Sequence, residues 1–216
     1  MTGVQTCALP ISETLVEPLS NLDISHVFFA TWSRQRTENE NCQVNGAMLD
    51  NLLSALTGAK LEHVVLITGL KHYLGPFEAY AETPMDTPFR ESQPRLPIQN
   101  FYYVQEDILF KHAKERNFTW SVHRPHTMIG YALGNAMNMG VTLAIYATIC
   151  KETGRPFIFP GSTEQYNGVT DVTDARMLAK HAVWSATSPN ARNEAFNTVN
   201  GDVFRWRQLW KHIANY

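Results

Sequence analysis

The stretch HVVLITGLKHY, residues 63–73, decides the fold, because it joins an apolar run directly to a polar turn. Residues 63–68 are apolar and largely β-branched, which is typical of a strand buried in a sheet. Lys71 and Tyr73 follow almost at once, and Gly75-Pro76 then turns the chain. Polar side chains directly after a buried strand indicate that the end of this strand borders a site.

Strands and helices alternate on both sides of this stretch. Further strands are predicted at 26–31, 119–125, 155–161 and 195–201, and helices at 45–56, 102–115, 137–152, 173–187 and from 204 onwards. Strands that alternate with helices of about 10–15 residues predict an α/β fold, a doubly wound Rossmann-like parallel sheet. Ligands of such sheets bind beyond the carboxyl ends of the strands, where Thr31, Trp32, Lys71 and Tyr73 are expected.

Composition narrows the class of protein. The 216 residues are 44% hydrophobic, enough for a sizeable core, and the net charge of -2 gives no reason to expect nucleic acid or an anionic membrane as partner. Cys7, Cys42 and Cys150 form an odd, sparse set without CxxC or metal-ligand spacing. Such a set is typical of free thiols in a reducing compartment, so we expect a cytoplasmic protein that binds no metal.

The first twelve residues lack the sequence pattern of the domain that follows. Thr2–Ile11, TGVQTCALPI, has no helical or strand period and resembles the translated tail of a common short-read sequencing adapter. We therefore expect residues 1–12 to be an artefactual or disordered leader and residues 13–216 to form the domain. A disordered natural N-terminus is the alternative interpretation.

Two motifs that are common in dinucleotide enzymes are absent. No GxGxxG or P-loop follows a strand, which indicates a missing βαβ unit of at least about 30 residues. No tyrosine has a lysine four positions later, and Tyr102 is followed at that spacing by Glu106. The residues alone leave Lys71 equally compatible with a solvated loop, and Tyr102 with a core aromatic.

Five long stretches resemble the progesterone 5β-reductase and iridoid synthase family, atypical extended short-chain dehydrogenases that reduce enones. They are HVFFATWSRQ, TGLKHYLGPFE, PRLPIQNFYYVQEDILF, FTWSVHRP and NEAFNTVNGDVFRWRQLW. The similarity runs from about Asp23 to Trp210. Since the family begins with a glycine-rich NADP-binding segment and continues further, the resemblance implies a fragment truncated at both ends. We expect such a fragment to be inactive by itself.

The resemblance also implies a site and a reaction. The lysine of KHY and the first tyrosine of FYY, here Lys71 and Tyr102, would form the catalytic pair. NADPH would deliver hydride to the β-carbon of an enone, while Tyr102, polarised by Lys71, stabilises the enolate. The implied cofactor-binding residues are Thr31, Trp32, Tyr102, Met128 and Asn135, and the implied substrate-binding residues are Tyr73, Phe77 and Phe204. Family analogy implies a homodimer.

Some positions depart from the family pattern or have a simpler interpretation. Ile67 replaces a frequent glutamine, and His126 replaces a frequent glycine, which is expected to narrow the mouth of the site. His123 and Arg124 are interpreted as strand-end packing and a surface or cofactor-edge contact. Asp171 and Asp174 are interpreted as helix caps rather than metal ligands.

The sequence is also compatible with two other functions. One is an epimerase or dehydratase that uses NAD(P), against which the missing YxxxK argues. The other is a dinucleotide-binding protein without catalysis, which would have no use for Lys71 and Tyr102.

Overall fold

A parallel sheet organises the part of the chain that the computed structural model describes, residues 12–76, 87–132 and 138–215. Its strands lie in the order β1 (His26–Phe29), β2 (His63–Ile67), β3 (Thr119–Pro125) and β7 (Glu194–Thr198). β1 pairs with β2, and β2 with β3, both in parallel. The predicted parallel α/β sheet is confirmed.

Helices separate these strands, as the alternating pattern predicts. The described helices are α1 (Ser12–Leu19), α2 (Glu38–Ala55), α3 (Lys71–Leu74), α4 (Phe101–Arg116), α5 (Met139–Thr153), α6 (Thr163–Asn167), α7 (Ala175–Thr187) and α8 (Trp206–Ala214). Short strands pair outside the main sheet: β4 (Met128–Ile129) with β6 (Thr173–Asp174) in parallel, and β5 (Val169–Thr170) with β8 (Phe204–Arg205) in antiparallel. No helix in the described ranges is long and apolar enough to cross a bilayer.

The chain divides into two compact units. The first contains the described residues of 1–124 and 182–197, and the second those of 125–181 and 198–216. In the first unit α2 packs against α4, and Leu49, Leu53 and Leu109 are fully buried with Val64 of β2. Full burial of each such side chain stabilises the fold by about 1.5–3 kcal/mol.

One predicted strand is wrong. Residues 155–161 form no strand. Their two aromatic side chains, Phe157 and Phe159, pack on Trp210 of α8 instead. Phe157 stacks on Trp210 with ring centroids 4.2 Å apart, and its carbonyl accepts a 2.9 Å hydrogen bond from the Trp210 indole. Phe159 meets the same indole edge-on at 5.1 Å. The alternation of apolar residues thus reflects contacts with a helix.

A buried histidine joins β2 to β3. The ring of His63 hydrogen-bonds Thr119 Oγ1 at 2.7 Å and Ser121 Oγ at 3.0 Å. Burial, with smaller contributions from His26 and Arg192, lowers the pKa of His63 from its ordinary value to about 4. His63 is therefore neutral in the folded chain at pH 7.

This histidine should make stability depend on pH. As pH falls from about 6.5 to 4, the unfolded chain takes up a proton at His63 before the folded chain does, so folding is weakened by up to about 1.4 kcal/mol per pH unit. We expect urea unfolding between pH 7 and 5 to show this loss, and His63→Gln to show a shallower pH slope. Equal slopes for both proteins would contradict the assignment.

Candidate active site

Lys71 is buried at the end of β2, where α3 begins. Only 8% of the residue is exposed, and Nζ lies 5.1 Å from the ring centroid of Phe101 and 5.8 Å from that of Trp32. The two rings stack on each other with centroids 5.7 Å apart. Ring faces attract an ammonium group, so the structure gives Lys71 an aromatic environment in place of a solvated loop.

The backbone of Lys71 is held from two sides. Its carbonyl accepts a 2.9 Å hydrogen bond from Gly75 N and a 2.6 Å hydrogen bond from Asn100 Nδ2. Gly75 ends α3 with φ of 76° and ψ of -166°, a conformation that is essentially restricted to glycine. The glycine after KHYL is therefore needed to end α3 after a single turn.

Tyr102 lies in the first turn of α4, two residues after Asn100, whose side chain binds the Lys71 carbonyl. Asn100 is the N-cap of α4, and its Oδ1 accepts a 3.0 Å hydrogen bond from Tyr102 N. Phe101 N donates to Glu38 Oε1 at 2.8 Å, and the Phe101 and Tyr102 rings lie 4.2 Å apart. Asn100 thus contacts the backbones of both residues predicted to form the catalytic pair, 31 positions apart in sequence.

The second tyrosine of FYY has a structural role. Its hydroxyl donates to the carbonyl of His72 and accepts a 3.0 Å hydrogen bond from Leu96 N. Burial raises the pKa of Tyr103, and the nearby Glu106 charge adds to this, so its phenol keeps the proton at neutral pH. Since the Tyr103 hydroxyl both donates and accepts a hydrogen bond within the protein, the catalytic prediction stays with Tyr102.

The loop after β1 carries the predicted cofactor residues Thr31 and Trp32. Thr31 is exposed and Trp32 is half-buried. Asn45 of α2 fixes this loop, since its side chain accepts from Ser33 N at 2.7 Å and donates to Ser33 O at 2.9 Å. A small cavity of about 40 Å³ opens here, lined by Trp32, Arg34, Gln35, Arg36, Thr37, Glu38, Asn41 and Lys71.

A buried carboxylate lies one helical turn after Tyr102. Glu106 is 2% exposed, and its Oε1 lies 3.3 Å from Arg124 Nη2 and 3.4 Å from His72 Nδ1. Its Oε2 accepts a 2.9 Å bond from Arg95. Burial alone would raise the pKa of Glu106, but His72 and the Arg124 guanidinium hold it below its usual value. The group therefore stays ionised in the interior.

Tyr73, a predicted substrate-binding residue, is 6% exposed and belongs to the same network. Its hydroxyl donates to Asn197 Oδ1 at 2.7 Å and accepts from Arg124 Nη1 at 3.1 Å. Its ring stacks on Phe89 with centroids 4.8 Å apart. Contact with a substrate through this residue stays a prediction.

The other predicted site residues belong to the second unit or lie outside the described ranges. Met128 is half-buried in β4, and Phe204 in β8 lines a largely apolar cavity of about 850 Å³. Ile129, Met139 and Leu143 line the same cavity. Phe77 and Asn135 lie outside the described residues.

Two interpretations of polar residues need correction, and a third is confirmed. Arg124 is 5% exposed and pairs with Glu106, so it is not a surface contact. Asp171 lies three residues before Asp174, which accepts the first backbone N–H groups of α7, and Asp171 instead contacts His126, with Oδ1 2.5 Å from Nδ1. Asp174 does cap α7, accepting hydrogen bonds from the backbone of Arg176 at 2.8 Å.

The sequence did not single out Asn45 or Asn100, and it indicated Glu106 only as the residue four positions after Tyr102, where a YxxxK motif has lysine. An asparagine directly before FYY is a recognisable N-cap, so Asn100 carried a local signal. The partners of Glu106 are far away in sequence, and no local pattern indicates its burial.

The buried carboxylate allows a test with a matched control. Glu106→Gln removes the counter-charge of the buried Arg124 and should lower the free energy of unfolding by about 3 kcal/mol. Asp107→Asn removes the neighbouring carboxylate, which is 64% exposed and pairs with the same Arg95. Because that pair is solvated, we expect a loss of less than about 1 kcal/mol in urea unfolding. Equal losses would show that burial does not set the energetics of Glu106.

Known proteins resemble the chain over most of its length. The (S)-8-oxocitronellyl enol synthase of Nepeta racemosa is 47% identical over 205 residues, 94% of this chain and 52% of the relative. The 3-oxo-Delta(4,5)-steroid 5-beta-reductase of Arabidopsis thaliana is 46% identical over 212 residues, 96% of this chain and 55% of the relative. The chain thus spans about half the length of the curated relatives it matches.

Solved structures show the same fold at low sequence identity. The UDP-glucose 4-epimerase of Thermus thermophilus in complex with NAD has a TM-score of 0.70 at 18% identity, covering 96% of this chain and 66% of that one. The model of the PRISE-like Rossmann-fold domain matches residues 7–216. The resemblance seen in the five stretches is therefore confirmed, and the chain belongs to the PRISE-like Rossmann-fold family.

Proposed function

We propose that the protein reduces the C=C bond of an enone with NADPH, by hydride addition to the β-carbon. The observation that carries the proposal is the buried Lys71, whose Nζ lies near Phe101. The side chain of Asn100 hydrogen-bonds both the backbone carbonyl of Lys71 and the backbone N–H of Tyr102. Lys71 Nζ lies 5.1 Å from the Phe101 ring centroid, and the Tyr102 ring lies 4.2 Å from the same ring, so the ammonium and the phenol border one aromatic side chain. A lysine and a tyrosine that share such surroundings suit a reaction in which charge develops on a substrate oxygen.

Tyr102 and Lys71 divide the chemistry. Negative charge develops on the enone oxygen as hydride arrives, and the Tyr102 hydroxyl donates to that oxygen. The Lys71 ammonium, held near Phe101 and Trp32, favours negative charge on the phenol side of this hydrogen bond. The α-carbon then takes its proton from water, and the enone becomes a saturated ketone or aldehyde.

The loop after β1 fits the cofactor. Thr31 and Trp32 follow the carboxyl end of a parallel strand, and Arg34 and Arg36 border the same cavity as Lys71. Arg34, Arg36 and Lys71 outnumber the carboxylate of Glu38 in the lining of this cavity, and a net positive charge favours a phosphate-bearing ligand. Thr31, Trp32, Tyr102, Met128 and Asn135 would hold NADPH, which supplies the hydride when bound.

The names of the relatives support a reductive reaction on a small molecule, a steroid in one case and 8-oxocitronellyl enol formation in the other. Tyr73, Phe77 and Phe204 would contact the substrate. The large, mainly apolar cavity lined by Phe204 suits a hydrophobic enone. We also propose a homodimer located in the cytoplasm.

An epimerase of the usual short-chain type is less well supported. The position four residues after Tyr102 holds Glu106, which is paired with Arg124, where a YxxxK enzyme needs lysine. The likeness to epimerase structures supports the fold alone.

The proposal is tested in a hybrid in which residues 25–210 replace the matching segment of the Nepeta racemosa relative. We expect NADPH oxidation with a cyclic enone, and a loss of kcat of at least about 100-fold in Tyr102→Phe and Lys71→Met. The matched controls are Tyr146→Phe in the second unit and Lys114→Met on the exposed side of α4, which should keep the parent rate.

Two results would count against the reductase. A folded hybrid that binds NADPH but leaves the enone unreduced would favour a binding protein without catalysis. Full turnover in Tyr102→Phe would remove Tyr102 from the mechanism.

A further inference from the structure

We propose that Asn100 is a positioning residue that sets the separation of Lys71 and Tyr102. This inference rests on the proposed function, in which those two residues act as a pair. Asn100 is 2% exposed and uses both ends of its side-chain amide. Nδ2 donates to Lys71 O at 2.6 Å, and Oδ1 accepts from Tyr102 N at 3.0 Å.

Capping alone does not require asparagine at this position. Serine, aspartate and asparagine cap helices about equally well, because each offers an oxygen to the first backbone N–H groups. The amide adds a donor, and here that donor reaches a carbonyl 29 positions away in sequence. Serine lacks the amide donor, while aspartate would place a negative charge against the Lys71 carbonyl.

The element that carries Lys71 needs such an anchor. α3 is a helix of four residues, Lys71–Leu74, and a single helical turn is unstable by itself. Within the turn, Gly75 N donates to Lys71 O. Two residues at the start of α4 add hydrogen bonds to the turn: Asn100 binds its first carbonyl, that of Lys71, and Tyr103 binds its second, that of His72.

Removal of the amide donor should therefore loosen Lys71 without uncapping α4. In Asn100→Ser the cap oxygen remains for Tyr102 N, but the bond to the Lys71 carbonyl is lost. Lys71 then shifts relative to Tyr102, and the ammonium stabilises the phenolate less well. In a reaction that depends on two aligned groups, a displacement of this kind costs about 10- to 100-fold in rate.

The test measures the geometry of the pair without relying on turnover. The chain is labelled with tyrosine carrying ¹³C at Cζ, the Tyr102 signal is assigned from Tyr102→Phe, and its ionisation is followed by NMR against pH. We expect Lys71→Met to move the Tyr102 midpoint up by about one pH unit and Asn100→Ser to move it in the same direction by less. In the hybrid, kcat of Asn100→Ser should fall while KM changes little.

A second asparagine cap serves as the control. Asn138 caps α5 and donates through Nδ2 to Gly130 O at 2.5 Å, so Asn138→Ser makes the same chemical change in the second unit. We expect a similar small change in thermal stability for both serine variants, with the Tyr102 midpoint unchanged in Asn138→Ser.

The outcomes separate the inference from the proposed function. A midpoint that moves in Lys71→Met but not in Asn100→Ser would overturn the role of Asn100 and leave the catalytic pair intact. A midpoint that moves in neither would overturn the pair itself, and the inference with it. A shift in both, with no shift in Asn138→Ser, supports the positioning role.

Discussion

The burial of the Glu106 carboxylate is the constraint on which the candidate site depends. An ionised group that is 2% exposed is tolerated only when charged and polar partners replace its water. Its partners come from separate parts of the chain: His72 from α3, Arg124 from β3, and Arg95 from the segment before α4. A displacement of any of these elements would leave charge unpaired in the interior, so their relative positions are strongly restricted.

Hydrogen bonds from the start of α4 fix the position of α3 more closely than the charge pairs do. Asn100 and Tyr103 bind successive carbonyls of α3, and Glu38 receives the N–H of Phe101. Charge pairing acts over several ångströms and selects which elements meet, whereas an amide hydrogen bond fixes individual atoms to within a few tenths of an ångström. The position of Lys71 results from both.

The sequence allowed the sheet and the helices after each strand to be predicted, because the buried runs at 63–68 and 119–125 have local signals of composition and period. The run at 155–161 shows the limit of that reasoning, since Phe157 and Phe159 alternate like a strand but pack on Trp210. The position of Lys71 after a buried strand indicated that it borders a site, but the predicted catalytic roles of Lys71 and Tyr102 came from resemblance alone. The burial of Glu106 depends on contacts with distant residues, which no local pattern carries.

Glu106 stands four residues after Tyr102, the position of lysine in a YxxxK motif, whereas the proposed mechanism takes its lysine, Lys71, from α3. Residues four apart on a helix are neighbours, so a bare carboxylate at this position would oppose negative charge on the phenol. The same conflict is visible at Tyr103, where Glu106 raises the pKa while Arg95 and Arg124 lower it. With its charge balanced by Arg124 and Arg95, Glu106 occupies the position at which a YxxxK motif has lysine. In the proposed mechanism the ammonium comes from Lys71 at the start of α3, so the single turn Lys71–Leu74 and the residues that hold it belong to the proposed chemistry.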